Sequence, residues 1–307
     1  MGRALLCGPF FASAVLAAEL LKAVNDESAR QDYLPGIASG KTIATVALTE
    51  ADGRWQASSV AAVAVRDRGA WRLSGTKVFV PGGGSAGLLL VVARTDDGIG
   101  VFAVDGRADG LRREAMPTMD QTRRQSRLVM EAVPARLLGS PAAGWAAVSR
   151  MLQLAAVGLA AEQAGGAQRV LEMAVEYAKM RDQFGRPIGS FHAIKHMCAS
   201  MLVTVESMKS AAYYGLCAAA SGDRELPAVA SIAKVYCTAG YIAVASDNIQ
   251  IHGGIGFTWE HAAHLYLKRA RSSREFLGAP AHHRDLISGL AGITPAGQPA
   301  ASPGARG

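Results

Sequence analysis

Aromatic residues make up only 6% of this 307-residue chain. That scarcity, with abundant Ala and 34 Gly, argues against an aromatic-rich β-sandwich throughout and favours closely packed helices. Cysteine is scarce too: four residues, at Cys7, Cys198, Cys217 and Cys237, none in CxxC spacing. Three of them lie in apolar, helix-like stretches. A disulfide framework and a structural zinc or other metal site are therefore not expected, and a reducing cytoplasm suits the chain. Acidic residues are in deficit, 25 Asp+Glu against 32 Lys+Arg, a net charge of +7. The excess is scattered: Arg112 and Arg113, Arg123 and Arg124, then Lys268, Arg269, Arg271 and Arg274. No basic tract interleaves with aromatics, so nucleic acid is not the expected partner; a solvated surface or a phosphate-rich cofactor accounts for the charge. The opening "MGRALLCGPFFASAVLAAELL" is broken by Gly8-Pro9 and followed by Glu19. It falls short of the ~20 apolar residues of a membrane span, so no membrane partner is expected, and it reads as an amphipathic helix from Pro9 to Val24.

What is present changes character twice. Residues 1–40 are helical. From 41 to 140 the chain is strand-like: "TIATVAL", "SVAAVAVRD", "WRLSGTKVFV", "GLLLVVART", "GIGVFAVD" and "SRLVMEAV" are short β-branched runs separated by Gly, Asp and Pro. Such spacing predicts an antiparallel barrel or sandwich. From 141 to 291 the pattern is helical. Trp145 to Met180 repeats apolar residues at three- and four-residue intervals. A second helix is expected from Ser190, as N-cap, to Ala220; a third starts with Pro227 in its first turn and ends at Gln250; a fourth runs from Thr258 to Leu277, with a short fifth over Asp285–Leu290. Four long helices joined by short loops predict an up-down bundle. The Pro/Gly/Ala-rich tail, 292–307, reads as disordered. The fold class is thus α+β with several domains.

One motif is rejected. Gly82, Gly84 and Gly87 satisfy G-x-G-x-x-G after a strand, but dinucleotide binding needs a helix N-terminus behind the glycines. Leu88 to Val92 read as a strand instead, so the glycines are expected to form a mobile hairpin loop.

Two stretches carry ligand-binding character. "YAKMRDQFGRPIGSFHAIKH" ends one helix at Arg181 and begins another. "DNIQIHGGIGF" ends a helix at Gln250 and continues through Gly253, Gly254 and Gly256, which permit positive φ or close backbone approach. Taken alone, each also reads as an ordinary turn between helices. In this order, behind a β-domain containing "ALTEADG" and "MDQTRRQSRLVMEAVPARLLG", they resemble the acyl-CoA dehydrogenase family from Gly2 to Leu290.

The resemblance implies an N-terminal helical domain, a middle β-domain and a four-helix bundle, with FAD as cofactor and α,β-desaturation of an acyl-CoA as activity. In such proteins a glutamate takes the α proton, and a neighbouring subunit grips the ADP half of FAD. The residues implied for that grip are Arg181, by charge-assisted bonds to pyrophosphate, Gln183 and Phe184 beside the adenosine, and Gln250, Gly253 and Gly254 through backbone and amide groups. His192 stands where the family often has Gln.

The reactive half departs from the pattern. The family's Trp-Ile-Thr at the flavin ring corresponds to Phe79-Val80-Pro81, and proline has no N–H or hydroxyl. The Thr-Glu-Pro-Gly-x-Gly-Ser-Asp loop is shortened to Thr49 through Trp55, keeping Thr49 and losing the serine. The usual glutamate position falls on Leu277 and the alternative one on Ala155, so no catalytic residue is assigned. Glu275, two residues before Leu277, is expected ~200° round the helix from it. Glu162 shares a face with Ala155 but lies ~10 Å along the axis. Glu260 is expected to cap or pair at its helix start. The family's earliest helices have no counterpart before Gly2: either the helical domain is reduced or the start of the sequence is placed too late.

These features point to the base-free subunit of an α2β2 flavoprotein dehydrogenase in lipid metabolism, resembling those of bacterial steroid side-chain catabolism. An unlike subunit would supply the glutamate, and electron-transferring flavoprotein would accept the electrons. Two rivals stay open: a homotetramer with a displaced base, Glu162 or Glu275, and a non-catalytic scaffold or flavin-storage relative.

Overall fold

The computed structural model describes residues 1–293; the tail expected to be disordered lies almost entirely outside them. The chain opens with a short 3-10 turn, Gly2–Ala4, then a wide π-type turn, Phe11–Ala17, that runs into α1, Ala18–Ala23. Ser13 explains how this segment meets the β-domain. Its hydroxyl donates to Ala44 O at 2.9 Å and accepts from Ala44 N at 3.0 Å. A second helix, α2, spans Glu27–Ala38 and is capped by Asp26, whose carboxylate accepts from Ala29 N.

The middle of the chain forms seven strands: β1 Ala44–Ala47, β2 Val63–Asp67, β3 Ala70–Pro81, β4 Leu88–Thr95, β5 Gly98–Asp105, β6 Leu111–Ala115 and β7 Gln125–Leu138. They pair in the order β1-β4-β2-β3-β7-β5, and β4 also pairs with β5. That last pairing closes β4, β2, β3, β7 and β5 into a ring, as the strand spacing predicts. The sheet is mixed, however: β1 and β2 both run parallel to β4. The parallel pairings arise because β3 turns into β4 without pairing with it. The Gly82–Gly87 segment is therefore a crossover turn rather than a hairpin loop. It is also held in place. Gly82 N donates to Arg124 O at 2.9 Å, and the Arg113 guanidinium donates to Gly83 O and Ala86 O at 3.2 and 2.9 Å.

The bundle consists of α3 Pro141–Met180, α4 His192–Ser221, α5 Leu226–His252 and α6 Ala263–Glu275, with α7, Pro280–Leu290, packed on α5. Small residues let the helices approach closely. A Cβ on Gly166 of α3 would lie 2.6 Å from the Tyr241 hydroxyl of α5, so only glycine lets that ring lie flat against α3. Val170, Met201, Val205, Met208, Tyr241 and Val244 fill the space between α3, α4 and α5; each buried side chain of this size contributes roughly 1.5–3 kcal/mol. By length and composition α3 and α5 also suffice to cross a bilayer, but here their apolar faces pack on each other.

Several boundaries differ from expectation; α7, for one, starts at Pro280 rather than Asp285. Ser190 sits in a 3-10 turn, Phe191 is the residue before α4, and the Ser190 hydroxyl caps nothing among the described residues. The last bundle helix starts at Ala263 rather than Thr258, because Gly253–Phe257 form a 3-10 turn.

Candidate functional site

The seven residues implied in cofactor grip gather at one end of the bundle, on both sides of a ring stack. Tyr177, in the last turn of α3, stacks on His252, at the end of α5, with centroids 4.3 Å apart. His261 covers the other face of His252, also at 4.3 Å. The His252 Nδ1–H donates to Asn248 O at 2.9 Å, and burial lowers its pKa, keeping the ring neutral. His252 has no polar role visible in sequence; its structural part is to join the two motifs.

From this stack the chain leaves α3 through Arg181, whose N–H closes the helix on Tyr177 O at 2.9 Å. A two-residue hairpin follows, β8 Asp182–Gln183 pairing with β9 Arg186–Pro187. The turn residues Phe184 and Gly185 have φ of +53° and +75°, the left-handed pair that a type I′ turn requires. Glycine adopts this freely; a bulky aromatic does not. Phe184 is also 92% exposed. Within the chain its ring meets Phe191 edge-on at 6.1 Å and otherwise faces solvent, where a ligand laid across it would bury it. Across the stack, Gln250 is exposed on the last turn of α5, Gly253 has φ +65°, and the Cβ directions of Gly253 and Gly254 are open.

All seven residues, Arg181, Gln183, Phe184, His192, Gln250, Gly253 and Gly254, are exposed. Arg181 makes no ion pair among the described residues. An uncommitted guanidinium beside open glycine backbone and an exposed ring fits a nucleotide diphosphate.

The other half has no carboxylate at either expected base position, although a cavity of about 320 Å³ lined by Phe11, Pro81, Arg123, Glu162 and Arg269 opens beside it. Leu277 and Ala155 are both buried and belong to one apolar cluster with Leu16, Leu20, Met151 and Phe276. The two places where a base is expected therefore lie in the same core. Phe276 plugs it: Phe11 packs at 5.6 Å, Trp55 meets it edge-on at 5.7 Å, and the Arg123 guanidinium lies 4.7 Å over its ring. The shortened Thr49–Trp55 loop brings Trp55 there. Glu50 fixes that loop, accepting from Ala61 N, Ala62 N and the buried Lys77 ammonium. The Thr49 hydroxyl donates to Val78 O at 2.6 Å, so its proton is committed. Pro81 is buried, and its carbonyl accepts from Thr45. Phe79, at φ +54° in a bulge of β3, points partly outward.

The end of α6 corrects the helical argument about Glu275. The helix stops at Glu275; Phe276 is extended and Leu277 has φ +64°. The offset between Glu275 and Leu277 is thus set by a turn, not by helix geometry. The outcome matches the expectation nonetheless: Glu275 is exposed beside Arg274, at 3.5 Å. Glu162 is taken by two guanidiniums. Arg123 and Arg269 both donate to its Oε1, and Arg269 also donates to Asp120 at 2.7 Å. The Glu162 Oε1 is thereby engaged by two donors, one from each arginine.

The Phe276–Gly278 turn is anchored from below. Lys234, fully buried on α5, donates to Ser273 O and Arg274 O at 2.8 and 3.2 Å and to Thr238 at 3.1 Å, capping the carbonyl end of α6. Burial pushes its pKa down to about 7. His283, on α7, bonds Leu277 O through Nε2 at 2.9 Å and Ser231 Oγ through Nδ1 at 3.2 Å. The carbonyl can only accept, so Nε2 carries the proton and Nδ1 accepts from the serine. Burial, with smaller contributions from Lys234 and His282, lowers the His283 pKa to about 4 from 6.5. The unfolded chain therefore binds a proton between those values that the folded chain refuses. Stability is complete above pH 6.5 and falls as pH drops towards 4, by at most about 3 kcal/mol from this group. Urea midpoints at pH 7.5 and 5 should diverge in the wild type and converge in His283→Gln.

The residues implied for the grip are exposed, and Leu277 and Ala155 are buried and apolar. Sequence reasoning missed the residues that fill the reactive half, Phe11, Trp55, Arg123 and Phe276, which meet only through tertiary packing.

Comparison with known proteins accords with this geometry. Residues 142–289 match the family model described as acyl-CoA dehydrogenase, C-terminal domain, and residues 45–133 the corresponding middle domain. Acyl-CoA dehydrogenase FadE34 of Mycobacterium tuberculosis is 39% identical over 90% of this chain; the chain spans about a third (35%) of FadE34's own length. An acyl-CoA dehydrogenase of Bacillus subtilis is 30% identical over 86% of this chain and 72% of its own length. The solved structure of the Tcur3481-Tcur3483 steroid ACAD G363A variant superposes with a TM-score of 0.84 at 34% identity, covering 95% of this chain and 78% of that one. With family models matched over both the β-domain and the bundle, the chain belongs to the acyl-CoA dehydrogenase family.

Proposed function

We propose that the chain is the base-free subunit of a hetero-oligomeric, FAD-dependent acyl-CoA dehydrogenase, working in the cytoplasm. The observation that carries this is the split between its two halves. The ADP-gripping residues are exposed and uncommitted, while both positions for a base are apolar and buried in one cluster. FAD, when bound, accepts the hydride from the substrate's β carbon. This chain's part is to hold the cofactor for a neighbour: Arg181 neutralises the pyrophosphate, Phe184 and Gln183 flank the adenosine, His192 and Gln250 offer side-chain bonds, and Gly253 and Gly254 offer backbone N–H groups. The unlike subunit supplies the glutamate and the flavin-ring contacts, giving an α2β2 assembly. The apolar surface around the grip supports a protein neighbour there: Met180, Ile255, Phe257 and Trp259 are all exposed large side chains.

The likeness to a structure described as a steroid ACAD and named as a pair, Tcur3481-Tcur3483, favours a steroid side-chain CoA thioester as substrate. Electron-transferring flavoprotein is the proposed acceptor; another structural neighbour carries that name in its description.

The test is to purify the chain alone and together with an unlike family member encoded beside it. One FAD per unlike pair, and turnover only in the pair, is expected. Tight FAD binding and turnover by the chain alone would sink the proposal. Leu277→Glu in the isolated chain should give no dehydrogenation, because Pro81, the committed Thr49 and the Phe276 plug remain. It should also destabilise the chain, since a carboxylate in an apolar cluster must stay protonated or pay for its charge.

A further inference from the structure

Directly beyond Leu277 lies a cavity of about 640 Å³. It is bounded by the first half of α3, the start of α5, α7 and the Trp55 loop. This volume falls within the range of small-molecule sites, although Leu277, at the expected base position, puts no carboxylate on it. Its walls show what it suits. Two indoles, Trp55 and Trp145, and the aliphatic side chains of Leu152, Leu277, Leu286 and Leu290 supply most of the surface. Trp55 is held by its edge contact with Phe276. Apart from Asp285, the polar groups are few and uncharged: Gln56, Ser149, Gln153, Ser231 and the imidazoles of His282 and His283. His283 spends its one proton on Leu277 O, and burial keeps both imidazoles from charging by lowering their pKa. No Lys or Arg lines the cavity, and the one charged group there is the Asp285 carboxylate.

Charge therefore sorts the possible ligands. The phosphates of a CoA thioester would find no cation in this wall, and a fatty-acid carboxylate would meet Asp285 with nothing to offset it. A rigid neutral molecule loses little conformational entropy on binding, presents flat apolar faces to the indoles, and needs only the Gln and Ser groups for a carbonyl or hydroxyl. We propose that this cavity binds a neutral, ring-bearing small molecule of sterol-nucleus type, as a ligand site without turnover. The inference rests on the reading above only in that Leu277 stands where a catalytic glutamate is expected.

The probe is 4-androstene-3,17-dione, added to the purified full chain without partner or FAD. Binding is followed by equilibrium dialysis and by the shift in thermal midpoint. Saturable binding is expected, at least 10-fold weaker in Ser149→Phe and in Gln153→Phe. Both substitutions fill the cavity from half-exposed positions of α3, and circular dichroism checks their folding. Palmitate, and a CoA thioester of a steroid acid, should each bind at least 10-fold more weakly than the dione. Absence of saturable dione binding up to its solubility limit overturns the proposal. So does unchanged affinity in both folded variants, or thioester binding as tight as that of the dione. Because no turnover or flavin is read, the assay stands even if the chain proves active alone, and failure here leaves the hetero-oligomer reading untouched.

Discussion

Replacing Arg181 by alanine should strip FAD from the assembled complex while leaving the isolated chain as stable as before. The second half of that expectation follows from the geometry: Arg181 is exposed, makes no ion pair among the described residues, and contributes to its own fold only through its backbone, which donates to Tyr177 O and accepts from Ile188 N. Its guanidinium is therefore free for a ligand. A charge-assisted hydrogen bond contributes about 1.5–3 kcal/mol, so its loss should weaken FAD binding by roughly 10- to 100-fold, since each 1.4 kcal/mol is tenfold. Arg181→Lys keeps the charge but loses the planar fork and should fall between the two. The measurement is flavin absorbance per complex after gel filtration, with a fluorescence titration of apo complex for affinity. Unchanged FAD affinity in Arg181→Ala would remove this end of the bundle from the cofactor site, and with it the main support for the proposed role.

Arg181 was legible in the sequence because its surroundings are local. Gly185, Pro187 and the end of an apolar repeat mark a helix stop within a few residues, and the hairpin that follows uses only neighbouring backbone. The bundle helices were legible for the same reason, to within a few residues at each end. What escaped depends on partners far along the chain. Ser190 has the chemistry of a cap, yet the tertiary fold turns it into a 3-10 segment. The run from Arg271 to Leu277 looks helical throughout, yet Lys234, about forty residues earlier, terminates the helix by taking the carbonyls of Ser273 and Arg274. The parallel pairing of β1 with β4 needs a crossover that no alternation pattern reveals. The plug on the reactive half joins Phe11, Trp55, Arg123 and Phe276, residues whose spacing carries no period. Absence was easier to see than replacement: Leu277 shows that a carboxylate is missing, but not that an aromatic cluster and an arginine fill the space beside it.

The most damaging single change to the fold should be Glu162→Gln. Glu162 joins a buried set of two cations and two anions: the side chains of Arg123, Arg269, Asp120 and Glu162 are 8%, 3%, 1% and 12% exposed. They come from the segment before β7, from α3 and from α6, so the set locks the β-domain to the bundle. With the carboxylate neutralised, two guanidiniums share one aspartate in a dry interior. Breaking a buried pair by removing one partner costs about 3–5 kcal/mol. At about 2–4 °C per kcal/mol for a large domain, that is a fall in thermal midpoint on the order of 10 °C. Adding Arg123→Met removes the surplus charge and should recover part of the loss, a coupling that a double-mutant cycle reads directly. The same variant separates two accounts of the chemistry. If Glu162 is only a lock, the fraction of Glu162→Gln complex that remains folded should turn over substrate at close to the wild-type rate. If it is a displaced base, turnover should collapse at a temperature where the variant is fully folded, and the chain would not need an unlike partner for its proton transfer. Two arginines on one carboxylate oxygen favour the first outcome, because that oxygen is already engaged by both donors.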